Sequence, residues 1–284
     1  YDINNFDFAS KTVESVTTGN YVLCGWNTNI IPIVSSITEV NGNGNVVWSK
    51  RYATNSLAYQ LNDLRKDAAA SQYYACGGTE SNAGVLLVLN SAGTPVISTN
   101  FSMSAATGVY FNRLTKASDG GYVVVGYVTG YDPDGAGPEI KFSSITYTDN
   151  NGDSQTEQIG SPIIVKFDAN GNHLWHHVFR YYKTSAKLPA DRIYNDASFT
   201  DVVEVSDGYI AVGSYDVNDF RSATNSDGDD ATPTDALFLK TTASGTITYH
   251  QQIDAPSTST TQKSKNLASA NKTIAGLPLI AGND

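Results

Sequence analysis

One short phrase recurs along the chain. Residues 120–127 read Gly-Gly-Tyr-Val-Val-Val-Gly-Tyr, and residues 207–214 read Asp-Gly-Tyr-Ile-Ala-Val-Gly-Ser. Residues 19–26 read Gly-Asn-Tyr-Val-Leu-Cys-Gly-Trp, and residues 72–79 read Gln-Tyr-Tyr-Ala-Cys-Gly-Gly-Thr. A weaker copy, Pro278-Leu279-Ile280-Ala281-Gly282-Asn283, stands close to the last residue. The glycines that close the phrase are Gly25, Gly77, Gly126, Gly213 and Gly282, spaced 52, 49, 87 and 69 residues apart. Recurrence at this period marks a repeat architecture, in which each unit buries its apolar surface against the next.

A second phrase fixes the register. Gly44, Gly93, Gly171 and Gly245 occupy equivalent tight turns. Four residues after them come Trp48, Ile97, Trp175 and Tyr249, and four beyond those come Tyr52, Phe101, Phe179 and Ile253. Ahead of the first phrase runs a short apolar stretch, as in Leu61-Asn62-Asp63-Leu64, Phe111-Asn112-Arg113-Leu114 and Phe199-Thr200-Asp201-Val202. One unit therefore holds four short strands, A to D, joined by Gly and Asn turns that tolerate positive φ. Strand B is apolar at nearly every position, which requires both faces of its sheet to be covered.

Sheets covered on both faces fit blades packed around an axis. The fold expected is all-β: a single β-propeller domain of four-stranded antiparallel blades, with a long β-sandwich or β-solenoid as the competing arrangements. Four complete repeats fall at 13–55, 56–107, 108–182 and 183–255, and a partial fifth at 256–284 stops after its strand B. Residues 1–10 are a candidate outer strand for that unfinished blade, whose open edge would otherwise invite pairing. The first residue is Tyr1 rather than Met, as in a fragment or a mature chain stripped of a signal peptide.

Charge is unevenly placed. The chain of 284 residues has a formal charge of −10. The B–C connection of the third unit, residues 127–162, carries Asp132, Asp134, Glu139, Asp149, Asp153 and Glu157 against Lys141. The matching connection of the fourth, residues 214–235, carries Asp216, Asp219, Asp227, Asp229, Asp230 and Asp235 against Arg221. These two insertions hold the whole excess, and the remaining residues are neutral overall. In antiparallel blades all B–C connections leave one face, so both insertions should share it. The stretch from Ile140 to Ile159 is expected to form a projecting hairpin around Asp149-Asn150-Asn151-Gly152. Asp132, Asp134, Asp149, Asp153, Asp227, Asp229 and Asp230 are candidate Ca²⁺ ligands, because closely spaced carboxylates around Gly can wrap a hard cation. None of these stretches completes an EF-hand loop, and a solvated acidic turn is the plainer reading. An acidic face disfavours nucleic acid as a partner, and no apolar run is long enough to span a membrane.

Other chemistry is sparse. Cys24 and Cys76 fill the same slot in adjacent units, which reads as two buried thiols rather than a disulfide. His173, His176 and His177 share one D strand, and His250 aligns with His176. His173 and His177 are expected on one side and Trp175 on the other, with regular counting placing His176 beside Leu174, on an outer, partly solvated strand. No zinc-protease helix or serine-nucleophile elbow is present.

The phrases at Asp119–Gly126 and Ile164–Trp175 resemble the repeats of secreted bacterial β-propellers of the Bacteroidetes type. The C–D portion also resembles quinoprotein repeats, in which a tryptophan packs between blades; Ile97 and Tyr249 depart from that tryptophan. The resemblance implies an extracellular or bacterial cell-surface protein, often found beside adhesion modules, and carries no activity with it. The expected function is a non-enzymatic binding or structural module acting through its acidic loops, with a surface protein, a glycan or another copy as partner. An extracellular polysaccharide hydrolase or lyase, and an accessory subunit of a surface secretion or motility complex, are the alternatives.

Overall fold

The computed structural model describes residues 8–27, 34–54, 57–79, 81–104, 106–130, 144–148, 154–158, 160–179, 197–216 and 234–253. All regular structure among them is β. The first sheet consists of β1 (Phe8–Glu14), β2 (Tyr21–Asn27), β3 (Val34–Val40) and β4 (Val46–Thr54), and the second of β5 (Leu57–Asp67), β6 (Gln72–Thr79), β7 (Gly84–Asn90) and β8 (Pro95–Phe101). A short β4–β5 ladder, Ala53 with Ala58 and Thr54 with Leu57, joins these two. The third sheet begins with β9 (Gly108–Lys116) and β10 (Tyr122–Thr129). A separate hairpin of β11 (Ser144–Thr148) and β12 (Ser154–Gln158) follows, and β13 (Gly160–Phe167) and β14 (His173–Val178) complete the sheet. The fourth holds β15 (Ala197–Val205), β16 (Gly208–Asp216), β17 (Thr234–Thr241) and β18 (Ile247–Ile253). These are four antiparallel, four-stranded, blade-like sheets with the strand order A to D.

The first unit opens at Phe8, upstream of the residue 13 at which its repeat begins by motif. Residues 8–10 belong to the A strand of the first sheet, beside β2, and residues 1–7 of the candidate outer strand lie outside the described residues. The partial fifth repeat at 256–284 lies outside the described residues.

The glycine of the recurring phrase answers a steric demand. Each A strand carries a bulge, with Ser10, Asn62, Asn112 and Thr200 as the extra residues. The bulge pushes the A-strand backbone onto strand B. A Cβ at Gly77 would lie 1.8 Å from the Gln60 carbonyl oxygen, one at Gly126 1.9 Å from that of Tyr110, and one at Gly213 2.0 Å from that of Ser198. Glycine is the residue that permits such backbone approach. The bulge asparagines then reach the next sheet: Asn62 Nδ2 donates to the Phe111 carbonyl at 2.8 Å and Asn112 Nδ2 to the Phe199 carbonyl at 2.9 Å.

The second phrase explains the contacts between sheets. Gly44, Gly93, Gly171 and Gly245 turn with φ between +71° and +91°. The side chains of Asn41, Asn90 and Asp168 accept the backbone N–H groups of their turns. The large residue four positions later packs on the turn glycine of the following sheet: Trp48 on Gly93, Ile97 on Gly171 and Trp175 on Gly245. Each sheet thus lays its forward face on the back of the next. Val22, Cys24 and Ile37 meet Tyr73, Ala75 and Leu87 at the first seam. Cys76, Leu86 and Val88 meet Tyr122, Val124 and Val165 at the second, and Val123, Val125 and Ile164 meet Tyr209, Ala211 and Leu239 at the third. Each buried Val, Leu or Ile at these seams contributes roughly 1.5–3 kcal/mol by leaving water. Cys24 and Cys76 are buried thiols, not a disulfide, and burial raises the Cys76 pKa well above the ordinary thiol range.

The two end sheets differ. Val125 in the third sheet is fully buried, whereas the equivalent Val212 in the fourth is 40% exposed. Tyr122 and Tyr209 are buried, whereas Tyr21 in the first sheet is 49% exposed. Among the described residues no sheet covers these two faces.

Candidate functional site

The A strands converge. β5 packs on β1, β9 on β5, and β15 on β9. Their bulges bring a charged residue to the same level in each sheet, with alternating sign: Lys11, Asp63, Arg113 and Asp201. The Asp63 side chain is fully buried. Its carboxylate accepts from Arg65 Nε at 2.9 Å and Arg113 Nη1 at 3.4 Å, and Lys11 Nζ stands 4.0 Å away. The Leu114 backbone N–H adds a further donor at 3.3 Å. Burial pulls the Arg65 pKa down, but the hydrogen bond and charge of Asp63 outweigh it and leave it raised.

A second tier of charges meets where the A strands end. Lys66 bonds Glu14, Lys116 bonds Asp67, and Ser118 donates to Glu204 through both its backbone and its hydroxyl. Each of these contacts joins neighbouring sheets. The A–B turns of all four sheets therefore lie at one end, and the B–C connections at the other. The inner strands carry five bases (Lys11, Arg65, Lys66, Arg113, Lys116) and five acids (Glu14, Asp63, Asp67, Asp201, Glu204), so the hub adds nothing to the net charge.

The B–C end is where the two insertions leave. β10 ends at Thr129 and β13 starts at Gly160; β16 ends at Asp216 and β17 starts at Thr234. The expected hairpin is present as β11 and β12, paired from Ser144–Gln158 to Thr148–Ser154. Asp132, Asp134, Asp149, Asp153, Asp227, Asp229 and Asp230 lie outside the described residues. Beside the root of the first insertion, Tyr110 and Tyr127 stack across β9 and β10 with ring centroids 5.1 Å apart. The Tyr110 hydroxyl donates to Asn82 Oδ1 at 2.6 Å, which ties the third sheet to the B–C turn of the second.

The D strands carry the third feature. A bulge inserts Val47, Val96, Leu174 and Thr248 at the start of β4, β8, β14 and β18. This corrects the sides expected for the histidines. The bulge sets His173 and Trp175 on opposite faces, as expected, and brings His176 to the face of His173, while His177 lies with Trp175, as residues two apart in an unbroken strand do. His173 and His176 lie beside Phe101 of the second sheet, with ring centroids 5.1 and 5.7 Å from its ring. His177 faces the fourth sheet, where its Nε2 meets the Gly245 carbonyl. The strand is an outer edge, as the sequence implies. Burial lowers the pKa of His173, His176 and His250.

No family model matches the chain and no curated protein matches it. Solved structures that resemble it include a protein of unknown function from Bacteroides caccae, with 10% identity over 86% of this chain and 81% of that one and a TM-score of 0.31. A member of the DUF4221 family from Bacteroides vulgatus matches at 9% identity, over 89% and 84% of the two chains, with a TM-score of 0.29. Hydrazine synthase from Kuenenia stuttgartiensis matches at 13% identity, over 88% and 67%, with a TM-score of 0.40.

The hub went unread in the sequence. Its signal was available: the third residue of the short stretch before each glycine phrase is Asp63, Arg113 and Asp201 in turn. Opposite charges at matched positions of successive repeats point to contact between repeats.

Proposed function

We propose that this chain is a non-enzymatic binding module of a bacterial exterior, which holds its partner on the face that bears the B–C insertions. The observation that supports this reading is the common exit of the two acidic insertions from the same end of two packed sheets. Rigid strands below and long loops above are the usual arrangement for recognition. The hub at the axis is electrically balanced, which leaves the insertions as the source of the protein's negative field. That field attracts cationic groups and speeds their encounter at low salt. A surface protein with a basic patch suits it best, with a glycan or another copy as the other partners. Ca²⁺ held by Asp132, Asp134, Asp149, Asp153, Asp227, Asp229 or Asp230 would order the loops before they bind.

The test compares the full chain with a variant in which those seven aspartates become asparagine. Both are applied to arrays of glycans and of bacterial surface proteins, with and without Ca²⁺. Selective loss of binding in the variant is the expected result. Undiminished binding would remove the acidic loops from the account.

A further inference from the structure

We infer that His173 and His176 form a two-imidazole chelate for a borderline transition-metal ion, with Cu²⁺ or Ni²⁺ preferred over Ca²⁺. The carrying observation is geometric. His173 Nε2 and His176 Nδ1 stand 3.0 Å apart. With metal–nitrogen bonds of about 2.1 Å, two nitrogens at that separation subtend about 90° at a shared ion. That is the angle between adjacent ligands in a tetragonal or square-planar site, the geometry favoured by Cu²⁺ and Ni²⁺.

The backbone explains how the pair forms. In a regular strand, residues three apart face opposite ways. The β14 bulge at Leu174 inserts one extra residue and brings both rings to one face. Phe101 then backs both of them. Without metal, the two facing nitrogens share one proton between them. Chelation requires that proton to move to the outward nitrogen of the same ring, so that both facing nitrogens present lone pairs. The pair is neutral overall before and after that shift. Two protein ligands leave the other positions to water, which suits an exchangeable surface site. No third His, Cys, Asp or Glu joins the pair among the described residues. The other two histidines are engaged elsewhere: His177 meets the Gly245 carbonyl and His250 stacks on Phe179.

The experiment titrates the untagged full chain with Cu²⁺ and with Ni²⁺ in excess Ca²⁺. Calorimetry follows uptake, and electron paramagnetic resonance reads the ligands of the bound Cu²⁺. The inference expects one equivalent bound, with splitting from two equatorial nitrogens. His173→Gln and His176→Gln should each abolish that signal, whereas His177→Gln should leave it intact. Matching thermal unfolding curves for the variants would show that the fold is retained. Uptake unchanged in His173→Gln and His176→Gln, or a Cu²⁺ signal with oxygen ligands only, would overturn it. Loss of loop Ca²⁺ binding would leave this site untouched, so the two proposals fail separately.

Discussion

The Arg65 guanidinium, on the inner strand of the second sheet, stands 3.7 Å from the Asp201 carboxylate on the inner strand of the fourth. The two sheets are not neighbours; the third lies between them. Their inner strands can meet only if the sheets fan out from a common line. Arg65 also bonds Asp63 at 2.9 Å, and Asp63 in turn meets Arg113 of the third sheet and Lys11 of the first. The buried Asp63 carboxylate thus meets cations of the first three sheets, and Arg65 extends the network to the fourth.

Asp63→Asn should lower stability by about 2–3 kcal/mol in urea unfolding. Removing one partner of a buried ion pair leaves the other charge uncompensated. The three cations are each about one-third exposed, so water softens the loss. Asp201→Asn should change stability by at most about 1 kcal/mol, because that side chain is 59% exposed and its pair is screened.

Two glycine substitutions should separate steric overlap from backbone preference. Gly126→Ala sets a Cβ 1.9 Å from a backbone carbonyl and should cost about 3 kcal/mol or more through forced displacement of β9. Gly19→Ala meets no atom within 4 Å but sits at φ +82°. It should cost only about 1–2 kcal/mol from the left-handed conformation. Equal losses at the two sites in chemical denaturation would contradict the close-approach explanation.

Acid should loosen the second tier of the hub. The hydrogen bond from Lys116 holds Asp67 below the ordinary carboxylate value of 3.8. A carboxylate with a lowered folded pKa contributes stability fully above its unfolded value, and that contribution fades as pH falls through the folded one. The denaturant midpoint should therefore decline below pH 3.8, and Asp67→Asn should flatten that decline. The same bond raises Lys116 above 10.5. Its contribution is complete below that value and fades as pH rises through the higher folded value. Midpoints measured from pH 2 to 12 check both limbs.

The repeat made much of this legible in advance. Gly126 and its equivalents, and Gly171 and its equivalents, announced four strands per unit and the seams between sheets. The hairpin of β11 and β12 was readable from its turn residues. The bulges were not, because an extra residue in a strand leaves no mark in composition. The bulge at Leu174 is why His173 and Trp175, two residues apart, face opposite ways and why His176 joins His173. His177, two residues past Trp175 in unbroken register, shares the side of Trp175 rather than the side expected for it. The start of the first unit was also obscure, since Phe8–Glu14 lacks the apolar stretch that marks the other A strands. The hub escaped notice because Asp63 and Arg113 look like ordinary strand polarity until the sheets are set side by side.

Cross-linking across the axis tests the radial arrangement most directly. Arg65→Cys and Asp201→Cys would be combined in one chain and treated with a short bis-maleimide. Cys24 and Cys76 are fully buried and should stay unreactive. The arrangement described here predicts an intramolecular link within one folded monomer, and none when Asp201→Cys is paired with Val96→Cys on the outer edge of the second sheet. Linkage absent from the first pair, or equal in both, would mean that the four sheets do not share an axis.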